Sequence, residues 1–335
     1  GLTNFDSQHL RLVIKNGIEI ASNQVCFSLL DRRAAGELNQ VAQDHDVAIL
    51  AFGTLAGGFL SERWVEQPEP DDIRDWSRMK YKRYIDAAGG WTAFQVLLRA
   101  LDQVARKHNV SITNIATAWA LDHTSVRATI IGARLTEGDH RIDNLRAQEI
   151  SLDDSDRAAI QAVTDDLLCI PGDCGDEYRK PPFLTASGDL SHHLDTLPPV
   201  FDVVEVRPGR NRTDSGTIWE KRAGFSRALR DGNRILVSGT TATDVNGDVV
   251  CEGDAEGQTV YILDKILATI QDLGGTFEDL VRTRIFLCNT SDWESVSRVH
   301  ARYFGDLRPT NTLVGGLDLV GPYLVEIEAE AIVQK

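Results

Sequence analysis

Hydrophobic and charged residues alternate strictly along the last predicted strand of the chain. The apolar positions share one face and are Val325, Ile327, Ala329, Ala331 and Val333. The positions between them are acidic and are Glu326, Glu328 and Glu330. A period of two predicts a β-strand with one buried face. The acidic face has two interpretations: a charged edge strand that resists aggregation, or a pocket in which one glutamate orients a water or a substrate.

The second half of the chain has the pattern of an α+β domain. Strands are predicted at 235–241 and 280–288, from Ile218 and near Thr312. Helices are predicted at 257–272 and 292–304. The turn Asp231-Gly232-Asn233 is a strong hairpin signal. We expect the two helices to cover one face of the sheet.

The first half alternates strands with helices, which predicts a parallel α/β layout. The continuous apolar run 47–52 suits a parallel strand that is buried on both faces. A flexible glycine loop follows at 53–58, and an acidic, proline-bearing insert follows at 66–75. We place Tyr81 and Tyr84 in polar sequence, with no buried lysine beside either ring.

Composition sets limits on the partners of the protein. At 335 residues the chain is long enough for two or three domains, and 42% apolar and 25% charged residues are ordinary for a globular protein. The formal charge of −15 disfavours nucleic-acid binding through phosphate contacts. No apolar run reaches the ~18 residues of a membrane span. We therefore expect neither a nucleic-acid partner nor a membrane.

Cysteine and histidine usage favours a reducing compartment and no metal site. Five cysteines, an odd number, do not suggest a disulfide framework. Cys169 and Cys174 are spaced wrongly for a redox pair or a zinc pair. The pair His192-His193 has no carboxylate or cysteine at ligand spacing. We therefore expect reduced thiols and a cytoplasmic protein that binds no metal.

The segment between the two halves is rich in Pro, Gly, Asp and Ser and lacks periodicity, which predicts a linker. The expected division is a first domain at 1–168, a linker at 169–205 and a second domain at 206–335. The chain begins at Gly1 without a methionine, and its first residues have the pattern of the middle of a domain. We expect a fragment, a processed product or a trimmed chain.

Four loops of the first half resemble the aldo-keto reductases, a family of (β/α)8 barrels that use NADPH. The matching loops are 1–5, 23–24, 51–58 and 131–144. They match the ends of the family's fifth to eighth strands, so the resemblance implies an α/β partial TIM-type barrel with two exposed edges. The family's catalytic Asp, Tyr, Lys and His come from its first four strands, which have no counterpart in this sequence. We therefore expect no proton donor with a tuned pKa in this half.

The same resemblance implies a set of contacts to NADPH. The implied contacts are Asn4, Gln24 and Phe52 to the nicotinamide, Gly53, Leu55 and Gly57 to the pyrophosphate, Arg134 or Arg141 to the 2′-phosphate, and Asn144 to the adenine. Asn4 and Gln24 would hold the carboxamide, and Phe52 would stack on the nicotinamide ring. The glycines would allow the backbone to approach the pyrophosphate closely. A relic site that binds no ligand is the alternative.

The second half closely resembles the Rid family, also called YjgF/YER057c/UK114, over residues 210–335. The matching segments are 237–239, 281–286, 308–309 and 324–329. Members are imine deaminases and their relatives, and some carry the older names translation initiation inhibitor or endoribonuclease L-PSP. The resemblance implies an α+β chorismate-mutase-like (YjgF-like) fold and a homotrimer with small-molecule pockets between subunits and no cofactor. A trimer would also bury the sheet face that the helices leave open.

Within that resemblance, Glu326 matches the family's water-orienting glutamate. Ser238 and Gly239 match the pocket floor, and Phe225 matches an aromatic wall. The family's deaminases clamp a substrate carboxylate with an arginine, and the matching residue here is Asn311. Because asparagine cannot supply that charge, we expect a cleft that keeps its acid, lacks a guanidinium and has a changed specificity.

Three functions remain open from the sequence. The first is a trimeric Rid-like domain that binds or hydrolyses a small imine or enamine, and we favour it because its domain is complete. The second is an NADPH-dependent aldo-keto reductase whose catalytic N-terminal half is missing from this chain. The third is a non-catalytic binding or regulatory protein.

Overall fold

A computed structural model describes residues 1–132, 140–179 and 199–334, apart from the side chains of Trp76 and Arg179. Contacts among residues divide the chain into two compact units, one built mainly from its first half and one mainly from its second half. Within the described ranges, no helix combines the length and the apolar character that a membrane crossing requires.

The first unit contains a parallel sheet whose four strands pair in chain order. The strands are β1 (Leu2–Thr3), β2 (Ser22–Cys26), β3 (Ala48–Phe52) and β4 (Val126–Ile130). The helices of this half are α1 (Ser7–Lys15), α2 (Glu37–Asp44), α3 (Trp76–Ala87), α4 (Gly90–His108), α5 (Ile112–Leu121), α6 (Arg141–Leu145), α7 (Asp154–Asp165) and α8 (Asp176–Arg179). The predicted parallel α/β layout is confirmed. An open sheet of this kind leaves β1 and β4 as edges, as expected of a partial barrel.

Strand β3 is buried on one face rather than on both. Ile49 and Ala51 are buried, whereas Ala48, Leu50 and Phe52 are only half-buried. Within the described residues, no further strand closes the sheet over that second face. A continuous apolar run was expected to have cover on both sides, so the prediction is wrong for one face.

Helix α3 contradicts the expectation that no buried lysine stands beside Tyr81 or Tyr84 in this polar segment. Asp75 caps this helix by accepting a hydrogen bond from the Arg78 N–H at 2.9 Å. The rings of Tyr81 and Tyr84 are buried, with 7% and 3% of their surface exposed. The ammonium of Lys80 lies 5.4 and 5.8 Å from their two centroids. The polar residues of the segment occupy the solvated face of the helix. Their number made the segment look polar throughout, so the sequence did not reveal the packed face.

Helix α3 packs on the glycine loop that follows β3. A Cβ atom at Gly53 would lie 2.9 Å from Tyr81 Cζ and 3.1 Å from Cys26 Sγ. A Cβ atom at Gly57 would lie 2.9 Å from Tyr81 Cδ2 and 3.1 Å from Ser77 Oγ. Both glycines also have left-handed φ angles, of +69° and +64°. The approach of α3 therefore accounts for the absence of a side chain at these two positions.

The segment assigned to a linker at 169–205 begins with packed structure. Asp173 accepts hydrogen bonds from the N–H and Oγ of Ser7, at 3.2 and 2.6 Å. Glu177 pairs with the buried Arg33 at 2.9 Å. Because Ser7 follows β1 and Arg33 follows β2, this stretch lies across the carboxyl ends of two parallel strands. Single polar contacts of this kind leave no periodic signal in a sequence.

The second unit contains a seven-stranded sheet in the order β10-β9-β11-β8-β7-β6-β5. Its strands are β5 (Val203–Arg207), β6 (Arg210–Thr213), β7 (Ala228–Asp231), β8 (Arg234–Thr241), β9 (Leu280–Leu287), β10 (Thr310–Gly315) and β11 (Val325–Ile332). The helices of this part are α9 (Ile218–Ala223), α10 (Ala255–Asp272) and α11 (Trp293–Phe304). Strands β9 and β10 are parallel, and the other neighbours are antiparallel. The predicted α+β domain is confirmed.

The long helices cover one face of this sheet, and ion pairs line the other. The buried side chains of β11 are Val325, Ile327, Ala329 and Ala331. The carboxylates between them point away from the helices, where Glu328 pairs with Arg284 at 2.6 Å and Glu330 pairs with Arg282. The alternation predicted from the sequence is confirmed, and cross-strand ion pairs account for two of its three glutamates.

One prediction for the second half is wrong in detail, and one strand was not predicted. Ile218 begins helix α9 and not a strand, and Gly224 ends that helix with a φ of +72°. Strand β5 lies partly inside the segment assigned to a linker. Its residues are all exposed, so the sequence shows no alternation between a buried and a solvated face.

The contact between α3 and the glycine loop predicts a difference between two alanine substitutions. Gly53→Ala meets Tyr81 and also strains a left-handed backbone. Gly58→Ala, the matched control, carries only the strain, because its φ is +87° and no atom lies within 4 Å of its added Cβ. We expect overpacking to destabilise Gly53→Ala by about 1–3 kcal/mol beyond the control. Thermal unfolding of the full chain measures this, and equal losses of stability would show that α3 does not pack on the loop.

Candidate functional site

Residues predicted for the second-half site meet at a bulge in strand β8. Val237 pairs with Ala329, and Thr240 pairs with Ile327, so β8 holds one extra residue between these pairs. Ser238 and Gly239 occupy this bulge. Bulges re-aim side chains and are common beside active sites. The Ser238 hydroxyl is turned back to its own sheet, where it donates to the Ser226 carbonyl at 2.9 Å.

Glu326 lies directly against Gly239. A Cβ atom at position 239 would come within 3.0 Å of Glu326 Cδ, so a side chain larger than hydrogen would displace the acid. The carboxylate of Glu326 is half-buried and accepts no hydrogen bond from any residue that the structure describes. Burial raises the pKa of Glu326, and the negative charge of Glu328 raises it further. The positive charge of Arg227 acts in the opposite direction. The acid is therefore open to a water or a ligand.

The guanidinium of Arg227 lies near enough to Glu326 for their charges to interact, although the two groups do not pair. Arg227 is 5% exposed, and its Nη1 donates to the Gly239 carbonyl at 2.8 Å. Its Cζ lies 5.3 Å from the centroid of Phe225, whose ring is 36% exposed. Its Nη1 also donates to Oγ1 of Thr240, whose side chain is buried under the helices together with that of its cross-strand neighbour Ile327. The expectation of a cleft without a guanidinium therefore stays a prediction.

Arg227 is held in place by the buried Glu220. The Nε of Arg227 donates to Glu220 Oε1 at 3.3 Å. Glu220 also accepts from the Ser215 N–H and Oγ, at 3.0 and 2.6 Å, and from the Gly216 N–H at 3.0 Å. Burial opposes the charge of Glu220, but the Ser215 bonds and Arg227 outweigh it and hold the pKa of Glu220 below its usual value. Four donors on one carboxylate fix the arginine rigidly.

Asn311 lies on the opposite side of the sheet from Glu326 within one chain. Its Nδ2 donates to Thr283 Oγ1 at 2.9 Å, and this hydroxyl lies 2.9 Å from His300 Nε2 on α11. Thr283 is fully buried under the helices. Glu326 alternates with the buried residues of β11 and faces away from them. The structure therefore brings Ser238, Gly239, Phe225 and Glu326 together and leaves Asn311 apart.

A cavity of about 450 Å³ opens on the same face of the sheet, next to the acid. Its polar lining includes Ser226, Ser238, Arg282, Arg284, Glu328 and Glu330. One of its lining residues, Ser238, is the sequence neighbour of Gly239. The cavity gives a small molecule access to the open face beside the bulge.

Lys265 is a further ionisable group that sequence reasoning missed. It lies on α10, is 9% exposed, and its ammonium donates to the Thr243 carbonyl at 2.9 Å. Burial lowers the pKa of Lys265 to about 8, and Arg227 adds to this effect. Arg227, Glu220 and Lys265 have no regular spacing. Of the three, only Lys265 gave a sequence signal, because it stands with Asp264 inside an otherwise apolar segment.

The residues implied for the nicotinamide lie at the carboxyl ends of β1, β2 and β3. The Asn4 N–H donates to the Gln24 carbonyl at 2.8 Å, so these two residues are neighbours. Phe52 ends β3, and the ammonium of Lys80 lies 5.3 Å from its ring centroid. Lys80 also donates to Tyr178 Oη at 2.7 Å. The ring implied to stack on nicotinamide therefore already packs against a lysine.

The pyrophosphate loop does not fit the implied cofactor. A cradle for pyrophosphate needs open space at its glycines, but Tyr81 and Ser77 fill the space at Gly53 and Gly57. Leu55 is half-buried between these glycines. Arg134 lies outside the described residues. Asn144 is half-buried on the short helix α6, together with the exposed Arg141.

The first unit does contain a lysine beside buried tyrosines, contrary to the sequence prediction. Lys80 lies within 6 Å of four aromatic ring centroids, those of Phe52, Tyr81, Tyr84 and Tyr178. Burial raises the pKa of Tyr81 and that of Tyr84, which makes both phenols weaker proton donors. Across the described ranges, no group of three His, Cys, Asp or Glu residues is arranged to hold a metal.

Family models match both halves of the chain. A model described as Aldo/keto reductase family matches residues 1–165, and a model described as Endoribonuclease L-PSP matches residues 218–333. The predicted fusion of these two families is confirmed. Use of NAD(P)H is a property that the first family implies, and the glycine loop of this structure does not support it.

Similar proteins cover about a third of the chain and most of their own length. An uncharacterized protein of Streptomyces coelicolor is 37% identical over 124 residues, which are 36% of this chain and 90% of that protein. The 3-aminoacrylate deaminase RutC of Acinetobacter baylyi is 36% identical over 105 residues, which are 31% of this chain and 82% of RutC. A solved YjgF/YER057c/UK114 family member of Mycobacterium tuberculosis is 40% identical and covers 37% of this chain and 99% of its own, with a TM-score of 0.33. With these relatives and the matching model, the chain belongs to the Endoribonuclease L-PSP family, whose domain it carries together with an aldo/keto reductase region.

Proposed function

We propose that the second unit hydrolyses a small imine or enamine to a carbonyl compound and ammonia. The observation that carries this proposal is the carboxylate of Glu326, which packs on Gly239, accepts no hydrogen bond from the described residues and lies beside a charged arginine. The likeness to a 3-aminoacrylate deaminase supports the same reaction class.

The geometry suits a carboxylate that moves protons between water and nitrogen. In the first step, a water oxygen bonds to the imine carbon, and a water proton passes through Glu326 to the imine nitrogen. In the second step, the hydroxyl proton follows the same route, the C–N bond breaks, and ammonia and the carbonyl compound leave. A carboxyl whose pKa is raised by burial gives and takes protons more readily near neutral pH.

The proposed assembly is a homotrimer with small-molecule sites between subunits. Its support is the sheet face that the helices leave uncovered, where Leu236 is 40% exposed and the cavity opens. Asn311 belongs to the edge strand β10, so a neighbouring subunit would have to bring this residue to a shared site.

We also propose the domain organisation and the compartment that the sequence predicts. They include domain boundaries at 168 and 205 and a reducing cytoplasm, which the five free cysteines support. They also include the assignment of residues 1–165 to the C-terminal half of an aldo-keto reductase barrel, which the four parallel strands support. A reductase that uses NADPH is the alternative function, and a non-catalytic binding or regulatory protein is the third.

Glu326→Gln tests the proposed reaction, because it keeps the shape of the side chain and removes its ability to accept a proton. We expect ammonia release from a panel of small imines and enamines to fall by about 100-fold or more. Glu278→Gln is the matched control, since Glu278 is exposed at a turn far from Gly239 in sequence, and it should retain full activity. Equal activity of the two variants would contradict the role of Glu326.

Titration with NADPH distinguishes a hydrolase of imines or enamines from an NADPH-dependent reductase. Because Tyr81 and Ser77 fill the space at Gly53 and Gly57, we expect no enhancement of NADPH fluorescence when the full chain is added. Saturable enhancement would contradict the packing of α3 on this loop and would favour the aldo-keto reductase function.

A further inference from the structure

We infer that Lys265 is a covalent modification site, whose side-chain amine forms an imine with small aldehydes. Lys265 lies on α10, which covers the face of the second sheet opposite to Glu326. The site is therefore separate from the proposed hydrolytic site, and the inference does not depend on hydrolysis. A lysine attacks a carbonyl group only as the neutral amine, so the inference requires surroundings that disfavour the ammonium.

Lys265 is nearly buried and has no acidic partner. Its side chain is 9% exposed, although lysine is almost never buried unless it is paired. Its Nζ donates to the Thr243 carbonyl at 2.9 Å, and no carboxylate of the described residues lies within 4.0 Å of it. A carbonyl oxygen accepts a hydrogen bond from an amine as well as from an ammonium. This contact therefore survives loss of the proton.

The two acids whose charges act on Lys265 are already bonded to other donors. Glu220 accepts four hydrogen bonds, as described above. Asp244 closes its own turn, where its Oδ1 accepts from the N–H groups of Asn246 and Asp248 at 2.9 and 2.8 Å. Neither carboxylate therefore serves as the counter-ion of the ammonium.

The permanent charge of Arg227 makes the ammonium of Lys265 still less favourable. Burial is the main cause that lowers the pKa of Lys265 to about 8, and Arg227 adds to this effect, whereas Glu220 and Asp244 oppose it. At pH 7.5 such a pKa leaves roughly a quarter of the amine neutral, against about 0.1% at the usual lysine value. The geometry of the charges and the pKa thus agree on a reactive amine.

A small carbonyl compound can reach this amine beside a short surface hairpin. Thr243, which accepts the bond from Lys265, pairs with Val249 to close the hairpin. Val245 at its tip is 65% exposed. Tyr261, half-buried on α10, donates to the same Thr243 carbonyl at 3.2 Å. The small exposed fraction of Lys265 favours aldehydes of few carbon atoms over bulky ones.

The proposed step is a condensation that balances without any further reagent. The lone pair of Nζ attacks the carbonyl carbon, and one amine proton passes to the carbonyl oxygen, which gives a carbinolamine. The C–O bond then breaks, the hydroxyl group leaves as water with the second amine proton, and a C=N bond remains. One amine and one aldehyde therefore give one imine and one water.

Reductive trapping of the imine in the full chain tests the inference. Propanal and cyanoborohydride are added at pH 7.5 and at pH 9.5, and peptide mass spectrometry measures the propyl adduct on each lysine. The exposed Lys221 on α9 is the internal reference. We expect the ratio of labelling at Lys265 to labelling at Lys221 to fall by about tenfold or more at the higher pH, because an exposed alkyl amine becomes neutral only near its usual pKa of about 10.4.

Tyr261→Glu tests the missing counter-ion. The Nζ of Lys265 lies 5.6 Å from the centroid of the Tyr261 ring, so a carboxylate at this position should keep the amine protonated. Tyr261→Phe, the matched control, removes only the hydroxyl group. We expect the labelling of Lys265 at pH 7.5 to be about tenfold lower in Tyr261→Glu than in Tyr261→Phe. Equal labelling of the two folded variants would contradict the inference.

The wild-type chain alone also decides the question. Absence of an adduct on Lys265 in the folded chain, an adduct that forms only in urea, or a ratio to Lys221 that does not change with pH would each overturn the inference. Ammonia release plays no part in this measurement. Failure of the proposed hydrolysis therefore leaves the modification site standing, and an unlabelled Lys265 leaves the hydrolysis standing.

Discussion

The candidate site depends on a buried ion pair between Arg227 and Glu220. Four donors converge on Glu220, and its charge stabilises an arginine that is almost completely removed from water. A single buried charge of either sign would be strongly unfavourable, whereas the pair with its hydrogen bonds is stable and rigid. This rigidity fixes the guanidinium at the Gly239 carbonyl. The bulge in β8 then presents the other side of Gly239 to the carboxylate of Glu326.

The two units use glycine for the same physical reason and with different consequences. At Gly239 the missing side chain makes room for the carboxylate of Glu326, which accepts no hydrogen bond from the described residues. At Gly53 and Gly57 it makes room for Tyr81 and Ser77, which are parts of the protein itself. A resemblance between loops identifies where small residues are required. It does not tell whether a ligand or a helix uses the space, and in the first unit the helix uses it.

Periodic features of the sequence predicted most of the fold. The alternation along β11 and the stripes of α10 and α11 follow from burial on one side, and both appear in the structure as expected. Exposed strands such as β5 were missed because both of their faces meet water. The ion pair between Glu220 and Arg227 was missed because Glu220 lies on an unexpected helix and Arg227 immediately precedes strand β7. Contacts between single charged residues depend on tertiary structure, so local sequence patterns do not predict them.

Burial makes the carboxyl group of Glu326 less acidic, and the positive charge of Arg227 partly opposes this effect. A site-specific carbon NMR titration of Glu326 in the full chain measures both effects. The expected midpoint lies above the usual glutamate value of 4.5, and it should rise further in Arg227→Gln, because the loss of a nearby positive charge disfavours the carboxylate. A midpoint at or below 4.5 that does not change in the variant would contradict the account.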